Sequence, residues 1–160
     1  MAPARIRFGN LFGSRSKSGT AAIEFALFTP LLLIVLTGTV ELGFLMYEAM
    51  QVNNAVEAGA LYAAANGFNA ASITSAVTNA SVLPTGLNTL TATPAPTQFC
   101  GCPTAAGVTN LGSPPCSATA CSGSPAGTYV QVNASLTHTI IIPNPWVPTT
   151  LTAIAVIRTN

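Results

Sequence analysis

A single long apolar run, with a carboxylate at its start, limits what this chain can fold into more than any other feature. From Phe25 to Tyr47 the run is 23 residues long, which as an α-helix is about 34 Å and long enough to cross the hydrocarbon core of a bilayer. Four of the five bases, Arg5, Arg7, Arg15 and Lys17, precede it. Because bases collect on the cytoplasmic side, the sequence predicts a single-pass membrane protein with a cytoplasmic N-terminus and an exported C-terminal part.

Two other interpretations of the run are weaker. In a soluble protein it would be a buried core helix, but the remaining chain is too short and too polar to surround it. In a secretory signal peptide it would be followed by small residues at a cleavage site, whereas the sequence here is "TGTVELGF". We therefore expect the run to remain in the mature chain.

The helical pattern continues beyond Tyr47 through "EAMQVNNAVEAGALYAAANG", which contains no proline, to a stop at Gly67. The predicted helix has roughly 45 residues and a length of about 68 Å. Small residues recur every four positions, at Ala55, Gly59 and Ala63. This spacing permits close approach of another helix, although alanine is also simply the best helix former. Glu41 is expected to mark the outer membrane interface.

The C-terminal part predicts a small antiparallel sheet. Residues 128–142 alternate in hydropathy, residues 151–159 resemble a second strand and residues 87–93 a weaker third. His138 falls on the inward phase of the first strand, which predicts a packed or edge histidine. The remainder of 68–128 is rich in turn signals. The predicted fold class is α+β, with a long N-terminal transmembrane and stalk helix followed by this sheet and a disulfide-bonded loop.

All four cysteines lie in the exported part. Their even number there predicts two disulfides, and a bridge between Cys100 and Cys102 is disfavoured because the two residues are too close in sequence. The nested pairing (100–121 with 102–116) and the crossed pairing (100–116 with 102–121) both stay open. Zinc binding by Cys100, Cys102, Cys116 and Cys121 is disfavoured, because C-x-C is tighter than the usual zinc-ligand spacing.

The distribution of charge disfavours most chemistry. All four acids, Glu24, Glu41, Glu48 and Glu57, precede residue 58, and the only base beyond that point is Arg158. The exported part therefore lacks the paired carboxylates of a hydrolytic site and the basic surface of a nucleic-acid binder. We expect no enzymatic activity, cofactor, metal, small-molecule substrate or nucleic-acid partner.

The stretch "SGTAAIEFALFTPLLLIVLTGTVELG", followed by "NNAVEAGALYAA", resembles the TadE/TadG-like proteins of tight-adherence (Flp-type) pilus systems, which are pseudopilins or minor pilins. The resemblance covers roughly residues 15–66. It consists of a basic leader, a glycine, Glu24 five residues after that glycine, Phe25 next to it, and an uncut apolar helix. We claim no resemblance beyond residue 67.

This resemblance implies that a prepilin peptidase cuts between Gly19 and Thr20. The chain would then divide into a cytoplasmic leader (1–19), a transmembrane and extended helix (20–66) and an exported Ser/Thr/Pro/Cys-rich β domain (67–160). Cleavage would remove the four N-terminal bases and change the formal charge from +1 to −3. It would also place a new amine at Thr20, about one helical turn from Glu24.

The resemblance also implies partners and a location. Glu24 and Phe25 would dock against neighbouring subunits, and the partners would be the peptidase, other pilins or pseudopilins, the assembly platform and membrane lipid. The location would be the bacterial inner membrane, with the β domain periplasmic or extracellular, and the chain could enter the pilus. Two alternatives stay open: Glu24 is merely solvated at the headgroup boundary, or the protein is a membrane-anchored surface binding module such as an adhesin.

Overall fold

Helix α1 spans Ser18–Asn66 and contains one proline, Pro30. It ends where Gly67 adopts a positive φ of 78° and its N–H donates to the carbonyl of Ala63. Glycine tolerates this left-handed conformation, which is why it commonly terminates helices. The computed structural model describes residues 18–81, 89–116, 121–122, 124–140, 145 and 147–159, and the predicted leader, residues 1–19, lies almost entirely outside them.

The chain divides into two compact units, Met1–Val40 and Glu41–Asn160, which we call unit 1 and unit 2. The described part of unit 1 is the first part of α1, and its large apolar side chains are exposed, for example Ile23 at 71% and Leu27 at 73%. Among the described helices, α1 alone is long and apolar enough to cross a membrane. A single-pass membrane protein is consistent with this arrangement.

Unit 2 contains a second helix, α2 (Ala70–Asn79), which begins at the N-cap Asn69, whose side chain accepts a hydrogen bond from the backbone N–H of Ser72. Its strands are β1 (Leu90–Thr91), β2 (Thr97–Thr104), β3 (Gly107–Gly112), β4 (Gly127–Thr137) and β5 (Thr150–Thr159). All pairings are antiparallel: β4 pairs with β5, β2 and β1, and β3 pairs with β2. The predicted α+β fold class is confirmed.

The core of unit 2 lies between the helices and one face of the sheet. One phase of β4 is fully buried, at Val130, Val132, Ala134 and Leu136. These side chains join a single apolar cluster to which α1 contributes Val52, Ala55, Val56, Ala60 and Ala63, and α2 contributes Ile73 and Val77. The predicted inward phase of this strand is confirmed, and it packs against the C-terminal part of α1.

The strand boundaries differ from the prediction in two places. Strand β4 ends at Thr137, and Ile140 lies beyond it, while residues 141–142 are outside the described part. The backbone N–H of His138 donates to the carbonyl of Thr149, 2.9 Å away, beside the start of β5. In the predicted strand 87–93 only Leu90–Thr91 pair with β4, and residues 87–88 are not described.

The opposite phase of β4 is also more buried than alternation predicts. Asn133 is only 3% exposed. Its side-chain nitrogen donates to the carbonyl of Pro94 at 3.3 Å, and its oxygen accepts from the side chain of Gln131 at 3.0 Å. The segment around Pro94 therefore covers Asn133 and supplies its polar partner, which the alternation of buried and exposed residues along one strand does not predict.

Candidate functional site

The residues of the predicted processing site lie in the first two turns of α1. Gly19, Thr20, Glu24 and Phe25 are all exposed, Phe25 at 73%. An added Cβ at Gly19 would meet no other atom within 4 Å. Thr20 and Glu24 are separated by four residues, about 6 Å along the helix axis, so an amine at Thr20 would lie on the same face as the Glu24 carboxylate.

The four cysteines form the crossed pair of disulfides, Cys100 with Cys116 and Cys102 with Cys121. Cys100 and Cys102 lie in β2, so their side chains point to the same face of the strand. Both bridges connect this face to chain that follows β3. The predicted disulfides are confirmed, and the structure resolves the pairing that the sequence left open.

The structure also brings together three titratable residues that the sequence did not connect. His138 contacts the carboxylate of Glu48 through Nδ1 at 2.6 Å and that of Glu41 through Nε2 at 3.0 Å. The three residues are almost completely buried, with exposures of 4%, 7% and 7% for His138, Glu41 and Glu48. All three belong to unit 2, and we call them the Glu–His–Glu cluster.

Helical geometry explains how α1 supplies both carboxylates. Glu41 and Glu48 are seven residues apart, which is nearly two full turns, so they project from one face. His138 directly follows β4 and continues its inward phase, which points the imidazole towards that face. The two carboxylates therefore hold the ring from opposite nitrogens.

The surroundings of His138 raise its pKa above the ordinary value of 6.5. Burial by itself lowers this pKa because it disfavours the charged ring, but the hydrogen bonds and negative charges of Glu48 and Glu41 outweigh that effect. The net result favours the imidazolium ion.

The cluster adds to two expectations. Glu41, predicted to mark the outer membrane interface, is the first residue of unit 2 and is buried there. The exported part (67–160) has no carboxylate of its own, and α1 brings two to its histidine. The seven-residue spacing of the glutamates was a usable signal for one helix face, but nothing local in the sequence marks His138 as their partner.

The arrangement of the cluster is that of a closed ionic contact. Both ring nitrogens already face carboxylate oxygens, and within the described residues no group of three His, Cys, Asp or Glu side chains is placed to hold a metal ion. In the same part of the chain no buried side-chain nitrogen or oxygen lacks a hydrogen-bond partner. This geometry suits a cluster that links α1 to the end of β4 and that can bind a proton.

The small residues that recur every four positions in α1 pack against other elements of the same chain. A Cβ added to Gly59 would lie 2.5 Å from Cγ2 of Val77 and 2.9 Å from Cγ1 of Val132, so the absence of a side chain allows α2 and β4 to approach. Ala55 and Ala63 are fully buried. Close helix approach is thus realised here between α1 and α2 of the same chain.

Comparison with known families bears on nearly all of α1 and on two members of the cluster. Residues 19–61 match the model of the family described as TadE-like protein. We call this matched range the TadE-like segment. The TadE-like segment contains Gly19, Thr20, Glu24 and Phe25 as well as Glu41 and Glu48, whereas His138 lies outside it. No curated protein and no solved structure matches the chain.

The match supports the resemblance stated from the sequence over residues 19–61. It also begins at the glycine of the predicted processing site. The sheet, the disulfides and the cluster histidine lie outside the matched range, so their roles follow from their physical arrangement alone.

Proposed function

We propose that the protein is a pseudopilin or minor pilin that is cut by a prepilin peptidase after Gly19 and then takes part in assembling a tight-adherence pilus. The observation that carries the proposal is the match of residues 19–61 to the TadE-like family on a helix whose large apolar side chains are exposed. In this proposal α1 holds the mature chain in the bacterial inner membrane, with unit 2 on the exported side. Its role is structural and involves no catalysis.

The proposed role of Glu24 follows from the cost of placing a charge in lipid. A charged side chain deep in a bilayer costs about 2.5–3.5 kcal/mol on insertion scales. An ammonium group close to the carboxylate offsets part of this cost. Cleavage after Gly19 would create such a group at Thr20, and the partner of Glu24 is the amine of its own chain or that of the neighbouring subunit. Pairing between subunits would fix their relative position along the assembly axis.

The processing step can be tested with matched glycine variants of the full chain, produced together with the pilus system and its peptidase. Gly19 and Gly38 are both exposed positions of α1 at which an added side chain meets no other atom within 4 Å. Gly19→Leu is expected to remain uncut, whereas Gly38→Leu is cut like the natural chain. The proposal is contradicted if Gly19→Leu yields the same shortened product, or if both variants are blocked equally.

The docking step can be tested with Glu24→Gln, using Glu57→Gln as the control for an exposed glutamate on the same helix. We expect Glu24→Gln to be processed but to enter sheared pili, or to co-purify with other pilus subunits, at least about tenfold less well, as loss of roughly 1.4 kcal/mol would give. Glu57→Gln should behave like the natural chain. Unchanged assembly of Glu24→Gln, with surface binding retained, would favour the membrane-anchored binding module instead.

A further inference from the structure

The hydrogen-bonding capacity of the Glu–His–Glu cluster sets the number of protons it must hold. A neutral imidazole has one N–H donor, and an ionised carboxylate has none. Both ring nitrogens of His138 are nevertheless within 3.0 Å of a carboxylate oxygen. Two hydrogen bonds therefore require one more proton than a neutral ring with two carboxylates carries. The raised pKa of His138 favours the imidazole as the place of that proton.

We propose that Glu41, His138 and Glu48 form a buried single-proton binding site whose occupancy fastens the end of β4 to α1. The proposal goes beyond the pilus role and does not depend on it, because it rests on contacts within unit 2. The ligand is the proton itself. Its binding energy is coupled to the tertiary contacts of His138 with Glu48, 90 positions away in sequence, and with Glu41, 97 positions away.

Because the site is buried, loss of its proton is expected to be energetically costly. With the proton bound, the cluster carries two negative charges and one positive charge, and each charge has an opposite neighbour. After its loss, two carboxylates remain near one neutral ring in a site less than 10% exposed. Loss of the positive charge beside two buried carboxylates is costly, and one ring nitrogen then presents a lone pair to a carboxylate.

The groups that face the ring come from each element packed against it. Helix α1 contributes the two glutamates that contact the ring nitrogens. The segment before β5 contacts the backbone of His138 through the uncharged carbonyl of Thr149, which accepts from its N–H. The only described base beyond the helix, Arg158, pairs in register with Tyr129, near the opposite end of β4 from His138. The glutamates are thus the charges that control the proton on the ring.

The direction of the pH dependence follows from linkage. His138 has a raised pKa in the folded chain, so the folded state binds the proton more tightly than the unfolded state. The resulting stabilisation is fully present below the unfolded histidine pKa and is lost as the pH rises through the folded pKa. The contact between β4 and α1 is therefore expected to weaken on the alkaline side.

The protein contains one histidine, so its ring can be observed without assignment ambiguity. The test is an NMR titration of the full chain in detergent micelles, with isotope-labelled histidine, following both ring nitrogens. At pH 6.5, where an ordinary histidine is half protonated, we expect the ring to be mostly protonated. A ring that is mostly neutral at this pH in the folded natural chain overturns the proposal.

Three variants connect the titration to the cluster. Glu48→Gln and Glu41→Gln should each move the midpoint to lower pH, the former more because its contact is shorter, whereas Glu57→Gln should leave it unchanged. His138→Gln should remove the alkaline loss of stability measured by hydrogen exchange in β4. Equal midpoints in all three glutamate variants overturn the proposal, and the wild-type titration remains decisive if a cluster variant fails to fold.

Discussion

The two parts of helix α1 on either side of Val40 have similar local structure, but among the described residues only the second part has a side that is buried in a core. In unit 1 the large apolar side chains are exposed, with Phe25 and Leu27 both at 73%. In unit 2 the buried side of the same helix consists of small or medium residues, such as Val52 at 1% and Ala55 at 0%. Burial within the chain therefore does not follow hydropathy along α1.

This difference shows that one helix is matched to two kinds of surroundings. Large apolar side chains suit lipid or neighbouring hydrophobic helices, which accept bulk without a fixed shape. Small residues suit a close-packed interior formed by α2 and β4, where shape decides the fit. The two parts should consequently respond very differently to the same type of substitution.

The largest difference is expected for leucine truncation. Leu136→Ala removes a fully buried side chain of unit 2 and should lower its free energy of unfolding by about 2–5 kcal/mol. Leu33→Ala, at a half-exposed position of unit 1, should leave that free energy unchanged. The free energy of unfolding of both variants can be measured by urea unfolding in detergent, with hydrogen exchange of the β4 amides as the readout. Equal effects of the two substitutions would remove the distinction between the two parts.

The next largest effect is expected from the disulfides, which unit 1 lacks in its described part. Replacing both Cys100 and Cys116 by serine opens a loop with a sequence separation of 16 and should reduce the stability of unit 2 by about 3 kcal/mol. The same unfolding measurement applies.

The pairing itself is tested by peptide mapping under non-reducing conditions. It should show 100–116 and 102–121 bridges, and recovery of the nested pairs would contradict the structure.

A smaller effect separates two glycines within unit 2. Gly59→Ala places a Cβ against Val77 and Val132 and should cost about 1–3 kcal/mol through overpacking. Gly43→Ala, where nothing lies within 4 Å, should instead stabilise the helix by up to about 1 kcal/mol. Thermal unfolding of the pair tests the sign as well as the size, and stabilisation by Gly59→Ala would show that α1 and α2 are not in close contact there.

The fold was predictable where one local pattern extends over many residues. The proline-poor, alanine-rich continuation of the apolar run indicated the helix up to Asn66, and strict alternation indicated β4. Helix α2 was missed because its serines and threonines are typical of turns, although Ile73 and Val77 are spaced for one helix face. Strand β2 contains Gly101 and Pro103, which are poor strand formers, and it is stabilised by pairing and by disulfides that a local pattern cannot show.

The two candidate sites also differ in how far the sequence alone could identify them. Gly19, Thr20, Glu24 and Phe25 are contiguous enough to be recognised together, and their roles in processing and docking stay predictions. The Glu–His–Glu cluster depends on contacts between residues 90 or more positions apart. Its members could be identified singly, but their meeting is a property of the tertiary fold.

The most direct test of the pilus proposal is the intact mass of the protein extracted from membranes that contain its pilus system and peptidase. We expect a mature chain that begins at Thr20 and retains all of α1 that follows. A chain that still carries the leader, or one that begins beyond Val40, would contradict the proposal.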